Sequence, residues 1–159
     1  EIVRGAHYLA EALGVKNIII AIERNKPAAI AAFEKSNLAV VALKKQYPMG
    51  AEKQLIYCCT GRKVPLGKLP AHAGVVVQTV GTAYAVCEAV ERGKPLIERI
   101  VTVSGAGIAA PKNLICAVGT PLSALIEACG GVQDAVKFVA GGPMTGTALA
   151  GAEVSLITA

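Results

Sequence analysis

The sequence predicts an α/β fold in two parts, and three observations carry that prediction. Two short β-branched runs, KNIIIAI and LAVVAL, flank a proline-initiated helix, the β-α-β order of a right-handed parallel crossover. The apolar mass comes from Ala, Val, Ile and Leu, with an aromatic share of only 4%, as in helices packed on buried strands. The charge balance changes near residue 100: residues 1–100 hold 14 basic and 8 acidic side chains, residues 101–159 hold 2 and 3. A length of 159 residues is enough to bury a core without disulfides or a structural metal.

The elements follow in order. Residues 1–13 form an amphipathic helix, with Ile2, Ala6, Leu9, Ala10 and Leu13 on the inward face and Glu1, Arg4, Tyr8 and Glu11 opposite. Gly14 is its C-cap. Residues 16–22 read as a strand covered on both faces. Pro27 sits in the first turn of a second helix that turns Ile30 and Phe33 inward, and residues 38–43 return as a second buried strand. Residues 51–60 form a short helix stopped by Gly61. Pro65, Gly67 and Pro70 break up residues 62–73. The run GVVVQ at 74–78 reads as a third buried strand, and residues 80–92 as a long helix ending at Gly93.

Beyond residue 95 the pattern changes. Residues 96–104 alternate, with Ile100, Thr102 and Ser104 on one face and Val101 and Val103 on the other. Residues 114–118 form the next strand. Thr120 is the expected N-cap of a helix over 121–129 that buries Leu122, Leu125, Ile126 and Cys129. Residues 136–139 are a further strand and 140–151 a glycine-rich loop. A hairpin, a helix and another strand in this order predict a small β-grasp unit.

Composition excludes several function classes. Hydropathy excludes disorder. The longest apolar runs, at 18–22 and 74–77, are far below the roughly 20 residues of a spanning helix. The net charge of +5 is scattered and lacks an aromatic platform, so nucleic acid is not the expected partner. An anionic cofactor or an acidic protein surface suits it better. Five cysteines, an odd number without C-x-x-C spacing, argue against a disulfide framework and a cluster site. Cys58, Cys59, Cys87 and Cys129 are expected as small buried hydrophobes. The absence of an apolar leader and of an initiating Met predicts an excised piece of a longer protein.

No self-sufficient catalytic constellation is present, so any catalysis needs a cofactor. Two loops carry the candidate chemistry, each following a predicted strand and entering a helix, where ligands bind in open α/β sheets. In the first, Gly50 permits close backbone approach, Lys53 can pair with an anion and Glu52 can accept from a ligand N–H or O–H. The alternative for Glu52 is favourable placement at a helix start. In the second, Gln78, Thr79 and Thr82 can line the same crevice. The alternative is N-capping by either threonine.

The string YPMGAEKQLIYCCTGRKVPLGKLPAHAGVVVQTVGTAYAVCEAV at 47–90, continued by GKPLIERIVTVSGAGIAAPKNL at 93–114, resembles the C subunit of the Rnf electron-transport complex. GVKNIIIAIERNKPAAI at 14–30, GTP at 119–121 and GGPM at 141–144 extend the likeness over essentially the whole chain. That subunit resembles the NADH-binding flavoprotein subunit of respiratory complex I. The resemblance implies a Rossmann-like flavin and NADH domain over residues 1–95 and a soluble-ligand-binding β-grasp (SLBB) domain over 96–159. It also implies an NADH dehydrogenase-type activity. On that resemblance, hydride would pass from NADH to FMN, then single electrons to two [4Fe–4S] clusters and onward within a complex that exchanges electrons with ferredoxin.

The implied setting is an ion-translocating membrane complex, with this subunit peripheral on the cytoplasmic side among other Rnf subunits. In the complex I relative the loop matching 50–53 reads G-E-E-T. Here Ala51 replaces the first acid and Glu52 keeps the second. The loop matching 78–82 reads N-N-V-E-T there, and only Thr82 matches outright. Thr79 stands where the Rnf proteins have Asn. The family's glycine-rich flavin loop falls upstream of Glu1 and its cluster cysteines beyond Ala159, so the isolated piece is expected to bind FMN weakly or not at all and to be inactive. The same architecture occurs in corrinoid (cobalamin) reductases and in electron-transfer proteins of amino-acid reductases. A docking module without chemistry of its own is a further reading.

Overall fold

The computed structural model describes residues 1–134, 137–142 and 144–155. The chain forms two compact units, Glu1–Gly93 and Lys94–Ala159, each mixed α/β with short sheets.

In the first unit, helix α1 (Ile2–Leu13) leads to strand β1 (Ile19–Glu23), helix α2 (Pro27–Glu34) and strand β2 (Ala39–Leu43). β1 and β2 pair in parallel, from Ile19 opposite Ala39 to Glu23 opposite Leu43. α2 packs on both strands, as a crossover helix must to cover them. Ile20, Ile22 and Leu43 reach the core. The expected covering of both faces is not seen: burial alternates along β1, because successive side chains point to opposite sides and Ile19 faces outward. Helix α3 (Glu52–Thr60) packs against β1 through the buried Ile56, and a 3₁₀ turn, Pro70–Ala73, packs against α3. The expected third strand does not form. Residues 75–79 have no strand partner, Val76 is 48% exposed, and the Val75 N–H bonds back to Pro70 O at 3.4 Å instead of entering a ladder. A β-branched run supplies propensity, but a strand also needs an edge to pair with. The parallel sheet therefore has two strands among the described residues.

Helix α4 (Val80–Arg92) pairs with α1. The contact is built on small residues. Gly5 and Ala10 are buried on α1, and Ala83 and Cys87 on α4. A methyl group on Gly5 would lie 2.6 Å from the Ala83 carbonyl carbon, 3.3 Å from its Cα, and would overlap its oxygen. Leu13, expected inside, is 49% exposed. The large apolar residues flagged one stripe, but the closest approach follows the residue with no side chain. Ion pairs frame the contact. Arg4 holds the Glu91 carboxylate through Nε at 2.7 Å and Nη2 at 3.0 Å, and the Tyr8 hydroxyl donates to it at 3.1 Å. Arg92 bridges Glu1 at 3.0 Å and the buried Glu88 at 2.6 Å. Tyr8, expected on the outward face, is thus turned towards α4.

In the second unit, β3 (Glu98–Val103) and β4 (Lys112–Ala117) form an antiparallel hairpin, from Glu98 opposite Ala117 to Val103 opposite Lys112. Val103, Leu125 and Cys129 form the core, with Val101, Ile108, Leu114, Cys116 and Leu122 packed around them. Helix α5 (Leu122–Ala128) supplies Leu125 and Ile126. Thr120 is not its cap. The Thr120 hydroxyl donates to Ala117 O at 2.7 Å. The first helical N–H groups, of Leu122 and Ser123, bond instead to the carbonyls of Val154 and Ala152, both at 2.9 Å. Strand β5 (Phe138–Ala140) pairs antiparallel with β6 (Thr147–Leu149), where a loop was expected. The start of the strand predicted over 136–139 lies outside the described residues. Gly146 closes this hairpin where a Cβ would meet Gly142 O at 2.5 Å and Ala140 O at 2.7 Å.

Gly5→Ala tests the α1–α4 contact. On propensity alone Ala in a helix interior gains up to about 1 kcal/mol over Gly, but overpacking here costs about 1–3 kcal/mol or more. The expected outcome is a lower thermal midpoint by circular dichroism; an unchanged or raised midpoint would contradict the close approach.

The Arg4 guanidinium holds the Glu91 carboxyl below its ordinary value, with Tyr8 adding in the same direction. A carboxylate with a depressed folded pKa contributes fully above its unfolded value and loses that contribution as pH falls through the folded one. Acid melts should therefore show α1–α4 weakening below the ordinary carboxylate range, and Glu91→Gln should flatten that part of the pH profile. An identical acid limb in wild type and variant would refute the assignment.

Candidate functional site

Both candidate loops end at helix N-termini in the first unit. After β2 the chain passes through a cis Tyr47–Pro48 bond and two tight turns, Met49 N to Gln46 O at 2.7 Å and Ala51 N to Pro48 O at 2.8 Å. Ala51 is the N-cap of α3 in extended conformation, and no side chain caps this end. The first intrahelical bond beyond the cap is Leu55 N to Ala51 O at 2.9 Å. The N–H groups of Glu52, Lys53 and Gln54 are therefore open to a ligand or to water.

Gly50, Glu52 and Lys53 are all exposed. Nothing lies within 4 Å of where a Gly50 side chain would be, so that flank is open to approach. Gln46, Tyr47, Pro48, Met49 and Gln54 line a hollow of about 220 Å³ beside them. The Cys58 thiol donates to Met49 Sδ at 3.3 Å, tying the loop to α3. Cys58 is exposed and Cys59 half-buried, so the expectation of buried cysteines holds for Cys87 and Cys129 and fails for Cys58. Burial pushes the Cys59 thiol above its ordinary value.

The second loop enters α4. Thr79 is its N-cap, and its Oγ1 accepts from Thr82 N at 3.2 Å. The two hydroxyls lie 3.1 Å apart. One of their two protons is used in that mutual bond, so the other remains a donor. The capping reading of Thr79 is thus correct, and it leaves one hydroxyl proton for a ligand. Gln78 precedes it, exposed. Thr79 and Thr82 are brought together, as are Glu52 and Lys53 in the first turn of α3. No hydrogen bond joins the two loops among the described residues.

The carboxyl end of the parallel pair is basic. Arg24 donates through its backbone N–H to Leu43 O at 2.8 Å and through Nε to Ala42 O at 3.4 Å. Lys26 pairs with Glu23 at 3.7 Å. Lys44, Lys45 and Lys53 make no ion pair among the described residues. Open amide groups beside unpaired lysines suit a phosphate, and exposed hydroxyl and amide groups suit the polar edge of a ring or ribityl chain.

Sequence reasoning missed Arg62. Its Nη1 donates to the carbonyls of Ala73 and Gly74, both at 3.1 Å, and so fixes where the extended run towards Thr79 begins. An arginine in a proline-rich loop carries no local signal of that role. Among the described residues no group of three or more His, Cys, Asp or Glu is placed to hold a metal ion. No described helix is long and apolar enough to cross a membrane.

The cap makes a direct prediction. Thr79→Ala should cost about 1 kcal/mol, read as a lower urea midpoint, whereas Thr79→Ser should keep most of it. Equal midpoints for Thr79→Ala and wild type would remove Thr79 from the cap.

Residues 1–88 match the model of the Nuo51 FMN-binding domain, and residues 100–148 match that of the SLBB domain. The chain is 44% identical to the C subunit of the proton-translocating ferredoxin:NAD(+) oxidoreductase complex of Clostridium ljungdahlii, over 99% of this chain and 35% of the relative. It is 44% identical to the C subunit of the ion-translocating oxidoreductase complex of Rhodobacter capsulatus, over 99% of this chain and 32% of the relative. It is 42% identical to the C subunit of the Na(+)-translocating ferredoxin:NAD(+) oxidoreductase complex of Acetobacterium woodii, over 92% and 34%. The chain thus spans about a third of the length of these curated relatives. The likeness to the Rnf C subunit stands on these matches, and through residues 1–88 the chain belongs to the family of the Nuo51 FMN-binding domain.

Proposed function

We propose that this chain is the flavin- and NADH-handling centre of a subunit that oxidises NADH through FMN in an ion-translocating electron-transport complex. The match of residues 1–88 to an FMN-binding domain carries this reading. The compared relatives are each the C subunit of an ion-translocating oxidoreductase complex, which favours it over the corrinoid reductases and over a docking module without chemistry.

The residues divide the work by their chemistry. The open N–H groups of α3 at Glu52 and Lys53, with the Lys53 ammonium, hold a phosphate. Gly50 leaves room for a ring to approach the backbone. Glu52 accepts from a nicotinamide or ribose donor. The free hydroxyl proton of the Thr79–Thr82 pair and the Gln78 amide orient the polar edge of the flavin. When bound, FMN supplies two-electron acceptance from NADH and one-electron release. Two [4Fe–4S] clusters on cysteines outside this chain would supply one-electron transfer between the flavin and ferredoxin. The subunit sits peripherally on the cytoplasmic face of the membrane beside the other Rnf proteins.

The full-length protein tests this. It is expected to show a flavin absorption band that bleaches on adding NADH. Lys53→Gln should weaken FMN binding by roughly tenfold, the scale of one charge-assisted bond. A flavin that stays oxidised under NADH but is reduced by dithionite would overturn the NADH assignment.

A further inference from the structure

We infer that Gly5 is a positioning residue for the Thr79–Thr82 hydroxyl pair: its missing side chain sets how α4 presents its N-terminus to the ligand. Two observations support this. The Gly5 backbone lies against the backbone of Ala83, where a methyl group would sit 2.6 Å from the carbonyl carbon and overlap the oxygen. Ala83 directly follows Thr82 and belongs to the same first turn, since its N–H bonds to Thr79 O at 3.1 Å while Thr82 N bonds to Thr79 Oγ1 at 3.2 Å.

Both sides of the contact lie within helices. Gly5 N is tied to Glu1 O at 2.8 Å within α1, and Ala83 is buried. The other end of α4 is held separately, by Arg4 and Tyr8 on Glu91 and by Glu1 on Arg92. With its C-terminal end anchored by ion pairs, α4 can answer an added methyl at Gly5 mainly by moving its first turn. That turn carries both hydroxyls. The ion pairs orient the far end of α4, and Gly5 sets where the hydroxyls stand.

The test rests on the flavin-binding reading above and uses the full-length protein with FMN as the probe. Gly5→Ala is expected to weaken FMN binding by roughly tenfold, the loss of one hydrogen bond, and to shift the flavin absorption band. Glu91→Gln, which loosens the helix pair away from the first turn, should lower the thermal midpoint and leave both unchanged. Unchanged affinity and spectrum in a folded Gly5→Ala protein would overturn the inference, as would equal effects of the two variants.

A measurement on the wild type covers the case in which Gly5→Ala does not fold. FMN should slow amide exchange at Gly5 together with Thr82 and Ala83. Protection of Thr82 and Ala83 without Gly5 would overturn the coupling. A wild-type protein that takes up no FMN would overturn the proposed function itself, and the role of Gly5 with it.

Discussion

The contact between Gly5 and Ala83 is the constraint on which the first unit depends. The two helix backbones approach so closely here that a Cβ would not fit, and α1 has glycine at that point. This contact joins the start of the unit to a helix that begins at Val80, far along the chain. The Arg4, Tyr8 and Glu91 group and the Glu1, Arg92 and Glu88 group then hold the pair at the far end of α4. Exposed ion pairs contribute little alone, so association rests mainly on packing, with the charges selecting one orientation.

Both candidate loops follow from how the helices of this unit begin. α3 starts from Ala51, whose side chain has nothing to donate or accept, so the amide groups of its first turn stay available. α4 starts from Thr79, which satisfies the Thr82 amide and keeps one hydroxyl proton of the pair in reserve. One end suits an anion and the other a polar ring edge. Nearby lysines without an ion pair among the described residues reinforce the first, in keeping with the positive charge that gathers before residue 100.

The second unit is held differently. Its core gathers around the buried Val103, Leu125 and Cys129, with half-buried neighbours from the hairpin and α5. The start of α5 is satisfied by carbonyls from residues 152 and 154, so distant backbone takes the capping role that a side chain plays in α4. On the outer face of the hairpin, Ile100 and Ile115 stand opposite each other, each 73% exposed.

Local information determined a good deal by itself. The β-branched runs and the proline at 27 placed β1, α2 and β2 in order, glycines 14, 61 and 93 ended their helices, and the alternation at 96–104 put Val101 and Val103 on one face, apart from Ile100 and Thr102. The loop bearing Gly50, Glu52 and Lys53 was legible as a strand-to-helix junction, and the one bearing Gln78, Thr79 and Thr82 as a helix start, although the strand expected before it does not form. Tertiary structure alone decided the rest. Residues 75–78 have strand propensity without an edge to pair with, residues 147–149 became a strand because β5 lies beside them, and Thr120 lost its capping role to distant carbonyls. Gly5 became the packing centre of α1, and Arg62 the latch of the loop before Thr79. In each case the deciding partner lies elsewhere along the chain, and hydrogen bonds and close contacts depend on what space brings together, which local periodicity does not encode.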